Sequence, residues 1–229
     1  MNKKLWLITA PQTAILGFII LNFLAMLTYP GGILHDPSTV GYSFVNNFLS
    51  DLGRFISWNG SHNFFANLFF NSSMIIAGII FAFYFYNLRQ IFNLQSTLLS
   101  YLSIIGSFTG ILGGISMVGV GLTPSDLYFT THLAFAHWLF RFFFIASFSY
   151  TIIILKTDLI ENKYVSGFCI FAILILSYII FSEFGPDARE SLSTLKMQVV
   201  AQKAILLCFI IAVYIQTKGL TFILDKNDD

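Results

Sequence analysis

Apolar residues fall along this chain in six long runs, at about 8–29, 64–86, 98–121, 132–154, 165–183 and 197–216. Each reaches the roughly 17–25 residues that a helix needs to cross a bilayer. The pattern predicts an all-α fold: a polytopic membrane protein with one six-helix transmembrane domain over residues 1–229. Between the first two runs lies a segment at about 30–63 that is far too long for a simple connection. Its Phe44, Phe48 and Phe55, with Val45, Leu52 and Ile56, repeat at helical spacing. That spacing predicts an interfacial or re-entrant helix at about 42–57, with Asn46, Asn47, Ser50, Asp51 and Arg54 on its polar side. A structural lid and a site-forming segment are both open readings of this loop.

Composition turns the pattern into an argument about solvent. The 229 residues are 56% hydrophobic and only 10% charged, whereas a soluble domain carries about 25% charge. Lipid must therefore solvate much of the surface. A net charge of +1 gives no argument for nucleic acid. Cys169 and Cys208 fall inside apolar runs and read as inert thiols, with neither a disulfide framework nor a metal motif. Met1-Asn2-Lys3-Lys4 before an apolar stretch imitates a signal peptide. No small-x-small site closes that stretch before Tyr29-Pro30, so an uncleaved first span is expected.

Basic residues in the short loops predict the orientation. Lys3, Lys4, Arg89, Lys156, Lys163, Lys218 and Lys226 lie at the N-terminus, the even-numbered loops and the C-terminus. The odd-numbered loops hold Arg54, Arg189 and Lys196. Both termini are thus expected in the cytoplasm. The topology then puts His35, His62, His132 and His137 on the outer side, with Asp36, Asp51, Asp126, Glu183, Asp187 and Glu190. Specific chemistry is expected there.

Arg141 stands out on this frame. It lies inside an apolar run, where a guanidinium costs about 2.5–3.5 kcal/mol on insertion scales unless it finds a partner or water. His137 shares its face four residues earlier, and Gln198 and Gln202 share a face on the sixth span with Lys203 beside them. At about 1.5 Å per residue, Arg141 and Lys203 sit at similar depth, roughly 10–15 Å below the outer boundary. Asn63, Asn67 and Asn71, spaced by four, form a polar stripe on the second span. Together these predict a polar, net cationic cavity opening outward, suited to a lipid phosphate. Glu183 and Asp51 are the rival partners for Arg141. The alternative is structural: snorkelling cations and interhelical amide glue.

Other readings are weaker. On the third span Gly106, Gly110, Gly113 and Gly114 line roughly one side and read as a packing device. His62, His132 and His137 with Asp51 could be drawn as a zinc site, but zinc needs three or four converging ligands. His132 and His137, five apart, are separated by about 140° around a helix. No cofactor is expected.

Two motifs add a resemblance. Leu49-Ser50-Asp51-Leu52-Gly53 precedes the Asn-bearing second span, and Gly121-Leu122-Thr123-Pro124 precedes His132-x-x-x-Ala136-x-x-x-Phe140. On six spans with cytoplasmic ends, this pair resembles a prokaryotic membrane family known only as a domain of unknown function. More distantly it is similar to the eukaryotic group of damage-regulated autophagy modulators (DRAM) and GPI-anchor lipid-remodelling factors. The likeness covers about residues 40–145. It implies a six-helix fold, a prokaryotic plasma (inner) membrane and a lipid-related role, and it points to Ser50, Asp51, Gly53 and His132. It carries over no catalytic residues.

The leading expectation is therefore a lipid-handling membrane protein whose partners are membrane lipids. Its ligand-binding candidates are Asp51, Arg54, Asn67, His132, His137, Arg141, Glu183, Gln202 and Lys203. The second is a membrane-embedded hydrolase or acyl-transferring remodeller, with His132 as general base or ligand and Asp51 as its orienting carboxylate. The third is a channel or small-solute transporter, which the few titratable residues of the inner half disfavour.

Overall fold

A computed structural model of the chain describes residues 2–92, 96–157 and 162–226, except for the side chains of 162, 163, 225 and 226. The side chains of Lys163 and Lys226, used above for orientation, lie outside the described residues. Among the described residues, six helices are long and apolar enough to cross a membrane. They are α1 (Ala10–Thr28, continuing a π-helical turn at Leu5–Thr9), α2 (Phe64–Leu88), α3 (Thr97–Leu122), α4 (Phe129–Leu155), α5 (Asn162–Phe184) and α6 (Leu192–Lys226). Two ends have a plain cause. Tyr29 and Thr123 leave the helical region immediately before Pro30 and Pro124, whose rings crowd a helical preceding residue.

Five spans match their expected extents closely; α6 does not. It runs for 35 residues, where hydropathy outlined only its middle. Ser191 and Thr194 explain the early start. Thr194 N–H donates to Ser191 Oγ (3.2 Å) and Ser191 N–H donates to Thr194 Oγ1 (3.0 Å), a reciprocal cap that begins a helix whatever its hydropathy.

Successive helices pack in chain order, and α6 returns to α1. Gln12 Nε2 donates to Thr217 Oγ1 across that last seam (2.9 Å). α3 is wedged between α2 and α4, and its glycines serve both neighbours. A Cβ on Gly110 would lie 2.1 Å from the Phe85 ring of α2, and one on Gly114 would lie 2.5 Å from the Gly78 carbonyl. About 70° further round, Gly106 meets Tyr150 and Gly113 meets Phe143, both on α4. The four glycines span about 100° of the helix and so line one broad side, as the spacing predicted, with 110/114 turned to α2 and 106/113 to α4.

The long loop after α1 is folded, but not as a helix over 42–57. It forms an antiparallel hairpin of β1 (Gly31–Ile33) and β2 (Asp36–Val40), a single 3-10 turn at Leu49–Gly53, and a bridge between Ile56 and His62. Short polar side chains compete with the helical ladder here. Asn47 Oδ1 takes the Ser43 N–H (3.0 Å) and Asp51 Oδ2 takes the Phe48 N–H (2.9 Å). Of the apolar residues at helical spacing, Leu52 is buried while Phe44, Val45 and Phe55 stay exposed. Gly32, at φ +85°, lies so close to the Trp58–Asn59 backbone that a Cβ would come within 2.3 Å of the Asn59 nitrogen.

Candidate functional site

The loop is fastened to the bundle by most of the polar residues that the sequence had singled out. Asn63 Nδ2 donates to the carbonyls of Leu52 and Arg54 (both 2.9 Å). Asn67 and Asn71 donate to the Gly53 carbonyl (2.7 and 3.3 Å). The asparagine stripe of α2 therefore receives the C-terminal end of the 3-10 turn, whose carbonyls have no helical partner. Gly53 is required at that contact: a Cβ there would meet the Phe70 ring at 2.5 Å. From the other side, Gln202 Oε1 of α6 accepts the Leu49 N–H (2.8 Å), and Lys203 Nζ donates to the Asn47 carbonyl (2.6 Å). The Lys203 ammonium also lies 4.9 Å from the Phe44 ring centre and 5.4 Å from that of Tyr42.

Asp51 is the internal knot of the loop. Its carboxylate is buried and accepts from Asn47 Nδ2 (3.1 Å), Phe48 N–H (2.9 Å) and Trp58 Nε1 (3.0 Å). Burial pushes its carboxyl above the usual range, against the pull of the Asn47 and Trp58 hydrogen bonds and of the Arg54 charge. Burial likewise raises the Tyr42 phenol, with the Asp51 charge adding to it. Arg54 donates through Nε to the Ile56 carbonyl (3.0 Å) and lays its guanidinium 3.8 Å over Trp58. Asp126, between α3 and α4, accepts from the N–H groups of Phe55 (2.9 Å) and Ile56 (2.8 Å). His35 contacts the Ala188 carbonyl (2.8 Å). All three connections at this end of the bundle are thereby tied together.

Beneath the 3-10 turn lies a cavity of about 120 Å³, walled by all six helices. Its walls are apolar, among them Phe70, Met74, Met117, Phe143, Phe171 and Phe209. Ser50, His132 and Gln202 are its polar lining residues. His132 Nδ1 lies 2.6 Å from the Thr123 carbonyl at the end of α3. A carbonyl can only accept, so the proton of the neutral ring sits on Nδ1 and Nε2 carries the lone pair.

The net cationic cavity expected from sequence is therefore not the one the fold builds. Neither Arg141 nor Lys203 lines it. Ala136, Leu139, Phe140 and Phe143 set the inward face of α4; His137 and Arg141 each follow an inward residue by one position, about 100° further round. Arg141 instead forms an ion pair with Glu183 of α5, each side chain about 30% exposed (30% and 29%). The Trp138 ring centre lies 5.8 Å from the guanidinium. Between the rival anions, Glu183 is the protein partner. Asp51 does not orient His132, since its oxygens serve Asn47, Phe48 and Trp58; the Thr123 carbonyl has that role.

No three His, Cys, Asp or Glu side chains converge as a metal set among the described residues. His62 packs edge-on against Phe55 instead (5.9 Å between ring centres). Sequence reasoning missed the apolar cavity and the clamp made by Asp126. The cavity had a signal in the inward spacing of 132, 136, 139, 140 and 143; the clamp had none. No family model, curated protein or solved structure matches this chain. Fold and composition define its class: a six-helix membrane-spanning bundle, roofed at one end by a folded loop.

Proposed function

We propose that the protein binds a membrane lipid, with an acyl chain in the apolar cavity and the polar part at Ser50, His132 and Gln202. The observation that carries this reading is the segregation of the lining: apolar walls on all six helices, polar groups only on the 3-10 turn, the start of α4 and the outer turns of α6. The apolar walls of this cavity hold water poorly. Left empty, 120 Å³ costs about 3 kcal/mol at roughly 24 cal/mol per Å³, and a hydrocarbon chain recovers that cost. Lipid is the most abundant hydrocarbon around six such helices. The likeness to lipid-remodelling membrane proteins supports the same reading, and the distribution of basic residues supports cytoplasmic termini and an outward roof. The channel reading gains nothing from apolar walls.

Native mass spectrometry tests the proposal. Wild type released from phospholipid liposomes is expected to keep one lipid. Ala136→Trp, which drives an indole into the cavity from α4, is expected to lose it, with Ala136→Phe intermediate. Equal retention by all three, at equal thermal stability, sinks the proposal.

A further inference from the structure

Three polar residues line the cavity, and two of them are anchored by hydrogen bonds that leave a reactive atom for a ligand. Ser50 Oγ hydrogen-bonds to no described residue. His132 is anchored to the end of α3, through Nδ1 to the Thr123 carbonyl and with Val120 as a second backbone partner; with the proton on Nδ1, Nε2 keeps the lone pair. Gln202 is anchored through Oε1 by the Leu49 N–H, which leaves the two N–H donors of Nε2. Nucleophile, base and donor to an oxyanion are the parts that acyl transfer requires. Asp51, adjacent to Ser50 in sequence, is outside this set.

We infer that this end of the cavity is an acyl-transfer site for carboxylic esters of membrane lipids, with Ser50 as nucleophile. The inference rests on the lipid-binding reading, because the chain held in the cavity delivers the ester carbonyl to the turn. Ser50 Oγ bonds to that carbon while its proton passes to His132 Nε2. The carbonyl oxygen takes the electron pair and receives hydrogen bonds from Gln202 Nε2. Collapse of this adduct breaks the ester C–O bond, and His132 returns the proton to the departing alkoxide, leaving acyl-Ser50 and a lipid alcohol. Water, or a second alcohol, then attacks acyl-Ser50 and gives its proton to His132. The bond from the acyl carbon to Ser50 Oγ then breaks, His132 returns the proton to Ser50 Oγ, and a fatty acid or a new ester is released. Apolar walls exclude bulk water from these steps.

A long-chain alkyl fluorophosphonate, added to the full chain in liposomes, is the probe. Wild type is expected to gain the phosphonyl mass on the peptide containing Ser50. Ser50→Ala, which deletes an unpartnered hydroxyl, is expected to abolish labelling. His132→Gln is expected to slow it about a hundredfold or more. Gln202→Glu, which keeps an oxygen for the Leu49 amide and removes the donors, is expected to slow it by about the same factor. Lipid retention is measured on the same samples. An unlabelled wild type, or labelling that survives in Ser50→Ala, overturns the inference. If lipid is retained in that case, lipid binding stands without acyl transfer; if lipid is also absent, the lipid-binding reading falls too.

Discussion

Replacing Asp51 tests how the roof over the cavity is held. In wild type its carboxylate accepts three N–H bonds, two at Oδ2 and one at Oδ1. Asp51→Asn keeps an oxygen for Asn47 and Phe48 but presents an amide N–H₂ to Trp58 Nε1, itself a donor. Asn47 does not adapt by flipping, because its own oxygen accepts the Ser43 N–H (3.0 Å). One hydrogen bond to a charged group is lost, at about 2 kcal/mol. Asp51→Ala strands all three donors, a gross loss of about 6 kcal/mol at that rate. Part returns because no carboxylate must be desolvated, leaving roughly 3–4 kcal/mol. The loss is local, so global melting is the wrong readout. Limited proteolysis of the loop in liposomes reports its opening directly, provided closure is fast relative to cleavage. At about 1.4 kcal/mol per factor of ten, Asp51→Asn is expected to be cleaved about 30-fold faster than wild type and Asp51→Ala about 5- to 30-fold faster again. Wild-type cleavage rates in both variants refute the reasoning.

The pH dependence of the same assay has a defined sign. Burial holds the Asp51 carboxyl above its unfolded value, so its contribution to loop stability is fully present below that unfolded value of about 3.9 and is lost as pH rises through the folded value. Wild-type cleavage is expected to accelerate over that rise; Asp51→Asn at the same pH values is expected to lack this component, and identical profiles contradict it. For the Arg141–Glu183 pair, intermediate between exposed and buried, a double-mutant cycle with Arg141→Met and Glu183→Gln in thermal melts is expected to give a coupling of about 1–2 kcal/mol. A coupling of zero removes the pair from the account. Gly110→Leu is expected to destabilise by about 3 kcal/mol through overpacking on Phe85. Gly17→Leu, where a Cβ meets nothing within 4 Å, is expected to be near neutral; equal melts for the two contradict the wedge assigned to α3.

Span positions were legible because hydropathy and length report the solvent of a helix, and five of the six needed no tertiary information. α6 was underestimated because its Ser191–Thr194 cap and its lysines and glutamines extend a helix without making it apolar. The 42–57 segment misled for a related reason. Its phenylalanines have helical spacing, yet the local bonds of Asn47 and Asp51 and the asparagines of α2 decide its backbone, and those partners are far apart in sequence. Residue choice at the site fared better than role. Asp51, Asn67, Gln202 and Lys203 do meet, but as fasteners of the roof, because polarity announces that a partner exists without saying which one. Arg141 pairs with Glu183, one of the anions weighed for it from sequence. Its place outside the cavity follows from helical phase, since Phe140 and Phe143 take the inward positions.

The central claim is that a lipid chain occupies the cavity. The most direct test uses phosphatidylcholine carrying a diazirine near the end of one acyl chain, photolysed in liposomes with the protein, followed by mapping of the labelled residues. The account predicts adducts on the buried walls, at Met74, Met117, Phe171 and Phe209, that disappear in Ala136→Trp. Adducts confined to the exposed faces, at Phe23, Ile173 and Leu207, and unchanged in that variant would contradict it.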